Sequence, residues 1–197
     1  MYARRVIDNE LDELQPHLPA VSIFGPKAVG KTETARQRVK SALWLDSPED
    51  VQRLRADPGL LGTLPGPVLL DEWQRVPEVW DSLRRQVDAG APAGRFVLTG
   101  SSAPRDLPVH SGAGRIAGLR MRPMTLAERG VGQGAVSLKK LLAGDAEISG
   151  ETEVDLGVYV REIVSSGFPG IRSKGTPRLI RAQLDSYIDA IVQREFA

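Results

Sequence analysis

The chain has 197 residues, which suits one domain of generous size or one domain and part of another. It has no cysteine, which excludes a disulfide framework and a thiolate metal site, and its 26 basic and 25 acidic residues give a net charge of +1, unlike a strongly basic nucleic-acid-binding domain. No apolar run reaches membrane-spanning length and no apolar signal core follows residues 1–5, so we expect a cytoplasmic protein with no membrane partner.

The most informative pattern begins at residues 20–24, a short apolar run typical of a buried parallel strand. Residues 25–32 follow, and their order Gly-Pro-Lys-Ala-Val-Gly-Lys-Thr fits the phosphate-binding loop pattern G-x-x-x-x-G-K-[ST]. Residues 32–41 contain neither glycine nor proline and predict a helix that buries Ala35 and Val39. Strand, loop and helix in this order are the context that the motif requires.

The residue types of this loop fit the chemistry of a bound triphosphate. Gly25 and Gly30 can adopt backbone angles that aim successive N–H groups toward an anion. Lys31 adds a positive charge for the β- and γ-phosphates, and the Thr32 hydroxyl is a hard oxygen ligand suited to Mg²⁺. We therefore predict that the nucleotide is bound by Gly25, Pro26, Lys27, Ala28, Val29, Gly30, Lys31, Thr32 and Glu33.

Strands and helices continue to alternate along the chain. Apolar runs predict four more strands, at residues 43–45, 68–70, 96–98 and 116–121. Apolar residues recur at helical spacing at Val76, Trp80, Leu83 and Val87. The alternation predicts the α/β class, with a mainly parallel five-stranded sheet, helices on both of its faces and a helical segment after it. Together with the phosphate-binding loop at residues 25–32, it predicts the P-loop NTPase fold.

Two acids, Asp71 and Glu72, follow the apolar run at residues 68–70. A carboxylate at the end of a strand beside the phosphate loop can hold Mg²⁺ through its water shell, which we predict for Asp71. The next acid can orient and deprotonate the attacking water, which we predict for Glu72 and which favours an ATPase over a small-molecule kinase. The alternative is an ordinary solvated turn.

Two further elements carry candidate catalytic residues. The strand at residues 96–98 leads to hydroxyls where a γ-phosphate sensor is expected, with Ser101 as the first choice and Thr99 as the second, although a capped turn explains them too. Arg115 follows flexible glycines and could reach the γ-phosphate in its own chain or in a neighbour's site. A structural arginine at the edge of the sheet is the alternative for Arg115.

The character of the chain changes after residue 130, where glycines surround one short helical stretch. We predict an ATPase domain over residues 1–130, a glycine-rich linker over residues 131–152, and a helical segment over residues 153–197. This last segment is expected to be the start of a C-terminal domain.

Four blocks of sequence resemble, in order and spacing, a prokaryotic AAA-type ATPase family whose core is joined to a C-terminal domain of unknown function. They are residues 25–32, 71–77, 98–102 and 114–128. The runs Asp-Glu-x-Gln-Arg-x-Pro and Gly-Arg…Pro-x-Thr-Leu-x-Glu are the more particular ones. The chain departs from the family pattern at Glu33 and Trp73. Family members continue well past the last helix, so the chain looks truncated within the second part.

The resemblance implies an AAA+ or STAND-like ATPase that converts ATP to ADP, with Lys31 on phosphate, Thr32 and Asp71 on Mg²⁺, and Glu72 on water. Hydrolysis is expected to be coupled to an unknown partner or conformational output. A homo-oligomer and a protein partner bound through the C-terminal segment stay open. Two alternatives also stay open: a slow-turnover regulatory switch, and a nucleic-acid-stimulated motor that uses the locally basic residues 105–129.

Overall fold

The computed structural model describes residues 2–57, 59–101, 114–132, 136–144, 148–173 and 175–195. The chain divides into two compact units, Met1–Arg122 and Pro123–Ala197. This division falls directly after the last strand of the sheet and before the predicted end of the ATPase domain at residue 130. The domain limits at residues 130 and 152 stay a prediction.

The first unit is built on a five-stranded parallel sheet, as the sequence predicted. Its strands are β1 (Ala20–Phe24), β2 (Ser41–Trp44), β3 (Val68–Asp71), β4 (Phe96–Gly100) and β5 (Ile116–Arg120). They lie in the order β2-β3-β4-β1-β5, and all neighbouring strands are parallel. The carboxyl ends of all five strands therefore meet at one edge of the sheet, which we call the C-terminal edge.

The strands β3 and β4 are buried along their whole length, and β1 is buried at all but its last residue. Strands that are buried on both sides need cover on both faces of the sheet, and helices supply this cover. The helices of this unit are α1 (Val6–Leu14), α2 (Lys31–Arg36), α3 (Pro48–Ala56), α4 (Leu60–Thr63) and α5 (Glu78–Asp88).

The helix α5 covers much of the core, and its inner face is the one that the apolar spacing predicted. Trp80 and Leu83 are buried in it. The Trp80 ring lies 4.8 Å from the ring of Trp73, which belongs to the short 3-10 turn after β3 and is only 2% exposed. The turn that directly follows the predicted acidic pair is therefore anchored in the core through Trp73.

The helix α2 is shorter than the sequence predicted. It ends at Arg36, and β2 already begins at Ser41, whereas a helix over residues 32–41 and a strand beginning at residue 43 were expected. The reason is strand pairing, because the backbone N–H groups of Lys40 and Ser41 donate to the carbonyl of Pro67 just before β3. These hydrogen bonds draw the chain into the sheet although its side chains favour a helix.

The second unit is helical, as predicted for the segment after the sheet. Its helices are α6 (Leu138–Leu142), α7 (Leu156–Ser165), α8 (Pro169–Arg172) and α9 (Pro177–Glu195). Glu162 on α7 accepts hydrogen bonds from Arg172 at 2.7 and 3.2 Å and from Arg129 at 3.3 Å, so one carboxylate joins three segments of this unit. Within the described part of the chain, no helix has both the length and the apolar character that crossing a membrane requires.

Candidate active site

The phosphate-binding loop lies between the end of β1 and the start of α2, at the C-terminal edge of the sheet. Gly25 has a positive φ of 151°, and a Cβ atom placed on it would lie 2.2 Å from the carbonyl oxygen of Met121. Gly30 precedes α2 with a φ of 106°. Both motif glycines therefore stand where a side chain would be strained, and at Gly25 the space itself is taken by the backbone after β5.

Lys31 is the first residue of α2 and is only 5% exposed. Its Nζ donates to the carbonyl oxygens of Gly25 at 3.0 Å and Pro26 at 2.9 Å, so the ammonium group lies inside the curve of the loop. Burial lowers the pKa of Lys31, while the nearby carboxylates of Glu72 and Asp71 act in the opposite direction. The loop therefore holds a partly desolvated cation close to two acids.

Asp71 connects the loop to the sheet. It is 6% exposed, and its Oδ1 accepts a hydrogen bond of 2.8 Å from Thr32 Oγ1 and a second one from Thr99 Oγ1 at the end of β4. The strands explain this meeting, because β3 and β4 are parallel neighbours with Asp71 opposite Thr99. The structure thus brings together the two residues predicted to hold Mg²⁺ and the second-choice sensor residue.

Glu72 follows β3 in the left-handed region, with φ 52° and ψ 41°. Its Oε2 accepts a hydrogen bond from the side-chain amide of Gln74, and the same amide nitrogen donates to Ser101 Oγ at 3.2 Å. The structure therefore brings together the predicted general base and the first-choice sensor through Gln74. Sequence reasoning missed Gln74, although its place two residues after the acidic pair was the feature that could have indicated it.

Arg115 lies at the opposite end of the sheet from the phosphate loop. It directly precedes β5, whose Ile116 pairs with Ala20 at the start of β1, and five strand residues at ~3.3 Å each separate this end from the loop. The Arg115 Nε donates to Asp88 Oδ1 at the end of α5. This placement does not favour a contact between Arg115 and the phosphate loop of its own chain. Of the alternatives left open by the sequence, a role in a neighbour's site and a structural role at the edge of the sheet stay predictions.

The remaining predicted binding residues differ in their burial. Val29 is buried and Pro26 is half-buried, whereas Lys27 and Ala28 are exposed. Glu33 is exposed on α2 and forms an ion pair of 3.2 Å with Arg36. The exposed part of the loop is thus the stretch from Lys27 to Ala28, between the two motif glycines.

Arg5 supports the loop and was missed by the sequence analysis. It is 5% exposed, and its guanidinium donates to the carbonyl oxygens of Val29 at 2.9 Å and Arg122 at 2.8 Å. A residue this far before the motif leaves no local pattern that could predict such a contact. Arg5 thereby fixes one loop carbonyl against the backbone that follows β5.

The oxygen atoms at this edge fit a magnesium ion. In the described residues, no group of three or more His, Cys, Asp and Glu side chains could hold a metal by itself. Thr32 Oγ1 and Asp71 Oδ1 instead offer one hydroxyl and one carboxylate oxygen, 2.8 Å apart. Mg²⁺ is commonly bound by only one or two protein oxygens, because its other ligands are waters and the phosphate oxygens of the substrate.

Comparison with protein families agrees with this geometry. Residues 17–129 match the AAA domain family, and the matched segment contains all five strands, the phosphate-binding loop and the acidic end of β3. The chain is a member of the AAA domain family. This membership confirms the AAA-type core that the four sequence blocks resemble, while the C-terminal domain of that resemblance stays a prediction.

Two curated relatives match part of this chain in sequence. They are uncharacterized proteins of Mycobacterium tuberculosis and Mycobacterium bovis, each 36% identical over 119 residues. The match covers 57% of this chain but only 27% of each relative, so the chain spans about a quarter of their length.

A solved structure supports the fold of the AAA domain protein. The Walker-type ATPase of Pyrococcus abyssi superposes with a TM-score of 0.55 at 14% sequence identity. The superposition covers 99% of this chain and 75% of that chain. This likeness confirms the P-loop NTPase fold that the sequence predicted.

Proposed function

We propose that this chain binds ATP and hydrolyses it with the help of Mg²⁺. The observation that carries the proposal is the hydrogen bond from Thr32 to Asp71, which joins the phosphate-binding loop to the acidic end of β3. Lys31 and Glu72 lie at the same edge of the sheet, so four residues of the expected types converge there. Membership of the AAA domain family supports the same activity.

Binding of the triphosphate is assigned to the loop. When the triphosphate binds, the Lys31 ammonium group would leave the loop carbonyls that it contacts and bind the β- and γ-phosphates. Because Lys31 is buried, the local dielectric is low and this attraction is stronger than it would be in water. Thr32 and Asp71 would hold Mg²⁺ through their oxygens. The ion would supply positive charge that stabilises the charge developing on the γ-phosphate.

The proton transfer is assigned to Glu72. Its carboxylate would accept a proton from the water that attacks the γ-phosphate, a contribution that general bases typically make at about 10²- to 10⁴-fold in rate. Thr99 lies near the end of β4 and Ser101 directly follows this strand. We assign the sensing of the γ-phosphate to Ser101, with Thr99 as the second choice. Hydrogen bonds link both residues to the acidic pair, Thr99 directly and Ser101 through Gln74.

We further infer that residues 1–130 form the ATPase domain, that residues 131–152 link it to residues 153–197, and that this last segment carries the output to a partner. The family match supports an end of the ATPase domain at residue 130, because the match ends at residue 129.

Phosphate release from ATP tests the proposal. The chain should release phosphate in the presence of Mg²⁺, and Lys31→Ala should abolish both nucleotide binding and release because the loop loses its cation. Lys40→Ala is the matched control, since Lys40 is an exposed lysine beyond the end of α2. A wild-type rate no higher than that of Lys31→Ala would contradict the proposed function.

A further inference from the structure

A cluster of polar side chains links the turn after β3 to the end of β4, and Gln74 is at its centre. We propose that Gln74 is a positioning residue that fixes the direction of the Glu72 carboxylate and ties it to Ser101. The inference rests on the proposed ATPase function, which makes Glu72 the general base. It adds to that function a residue that directs the base without touching the substrate.

The backbone brings Gln74 back over Glu72. Glu72 is in the left-handed region, and the 3-10 turn Trp73–Arg75 that follows it is closed by a hydrogen bond of 3.0 Å from the Arg75 N–H to the Glu72 carbonyl. Left-handed backbone is uncommon for a residue with a side chain and persists where the surroundings hold it in place. The turn therefore places the side chains of Glu72 and Gln74 on the same side of the backbone, within hydrogen-bonding distance of each other.

The Gln74 amide shares its donors between the two residues. Its Nε2 donates to Glu72 Oε2 and, at 3.2 Å, to Ser101 Oγ. A carboxamide nitrogen carries two N–H groups, so both are used by this pair of contacts. One oxygen of Glu72 is thereby held by Gln74, and its other oxygen is the one assigned to the attacking water.

Packing around the amide restricts its movement. Gln74 Oε1 is buried and has no hydrogen-bond partner among the described residues, and a Cβ atom placed on Gly100 would lie only 2.5 Å from it. The adjacent Trp73 is anchored against Trp80 in the core. Because the end of β4 leaves so little room, the amide has a narrow range of directions, and so does the carboxylate that it binds.

Kinetics of three variants test the inference. Gln74→Met keeps the length of the side chain but removes both N–H donors, and Gln74→Glu replaces the donor by a carboxylate that repels Glu72. In either variant kcat should fall by about 10- to 100-fold, as expected for a misplaced catalytic group, while KM for ATP stays within about twofold. Gln52→Met is the control, since Gln52 is exposed on α3.

The role of Ser101 is tested by combining variants. Ser101→Ala in the Gln74→Met background should lower kcat by less than it does in the wild type, because the part of its effect that passes through Gln74 is already lost and only its sensing role remains. Equal decreases in the two backgrounds would contradict the link between Gln74 and Ser101. Thermal unfolding checks that each variant folds. If Gln74→Met does not fold, the kinetics of Gln74→Glu alone test the inference.

Two results would overturn the inference in distinguishable ways. An active wild type with unchanged kcat in both Gln74 variants would contradict the role of Gln74 alone and leave the ATPase function standing. A wild type that does not release phosphate would contradict the proposed function and, with it, the inference.

Discussion

Gly25 shows how one residue couples the phosphate-binding loop to the rest of the sheet. Its α-carbon lies so close to the backbone after β5 that a methyl group has no room, and Arg5 binds the carbonyl of the next residue, Arg122. The loop is therefore held against residues 121–122 at two points. Its shape depends on side chains and backbone that are distant in sequence.

We predict that Gly25→Ala weakens nucleotide binding by tenfold or more, equivalent to about 1.4 kcal/mol, because the loop must shift away from Met121. Titration with a fluorescent ATP analogue measures this. Gly90→Ala is the matched control: Gly90 also has a positive φ, of 91°, but nothing lies within 4 Å of its added Cβ. Equal affinities of Gly25→Ala and the wild type would contradict the close approach.

At the scale of elements, the ion pair between Arg115 and Asp88 joins the start of β5 to the end of α5. Both side chains are more than a third exposed, so the pair should contribute less than about 1 kcal/mol to the free energy of unfolding. We predict that Arg115→Ala lowers this free energy only slightly and leaves the ATPase rate of dilute protein unchanged.

Asp88→Ala should lower the free energy of unfolding at least as much as Arg115→Ala does, because it also removes the 3.8 Å ion pair with Arg84. It should likewise leave the ATPase rate unchanged. Chemical denaturation and phosphate release measure the two quantities. A collapse of the rate in Arg115→Ala alone, at a protein concentration too low for association, would contradict the placement of Arg115 far from the loop.

In the second unit, the hydrogen bonds from Arg172, and then the one from Arg129, hold the pKa of Glu162 below its ordinary value of 4.5. A carboxyl with a lowered pKa in the folded state adds stability above its unfolded pKa, and this contribution is lost as the pH falls through the folded pKa. Glu162→Gln should therefore reduce the free energy of unfolding by about 1–3 kcal/mol at neutral pH. The difference from the wild type should shrink below pH 4.5.

Denaturant unfolding of the full chain at several pH values measures this effect. Glu153→Gln, an exposed glutamate of the same unit, should show neither the loss nor its dependence on pH. A constant difference between Glu162→Gln and the wild type across this acidic range would show that the ionised carboxylate is not what stabilises the unit.

Elements with local causes could be predicted from the sequence. The buried strands and the inner face of α5 follow from apolar spacing, and the loop follows from its motif. The end of α2 could not be predicted, because the hydrogen bonds from Lys40 and Ser41 to Pro67 depend on pairing between strands that are far apart in the chain. Sheet pairing overrode local helix propensity at this point.

At the scale of the whole molecule, the site residues that could be predicted from the sequence are those at the carboxyl ends of the parallel strands. The sequence predicted Asp71 beside Thr32 because the carboxyl ends of β1 and β3 meet at one edge of the sheet. Arg5 could not be predicted, since its contacts with Val29 and Arg122 join segments with no shared local pattern. The place of Gln74 after the acidic pair is visible in the sequence, but its contact with Ser101 after the neighbouring strand is not. Arg115 lies at the end of the sheet opposite the phosphate loop because it precedes β5, which pairs in parallel with β1.

The central claim is that the loop and the acidic end of β3 form one ATP-hydrolysing site. It is tested most directly by identifying the nucleotide that stays bound after incubation with ATP and Mg²⁺. We predict that Glu72→Gln retains ATP, that the wild type retains ADP, and that Lys31→Ala retains neither. Conversion of ATP to ADP by Glu72→Gln at the wild-type rate would contradict the claim.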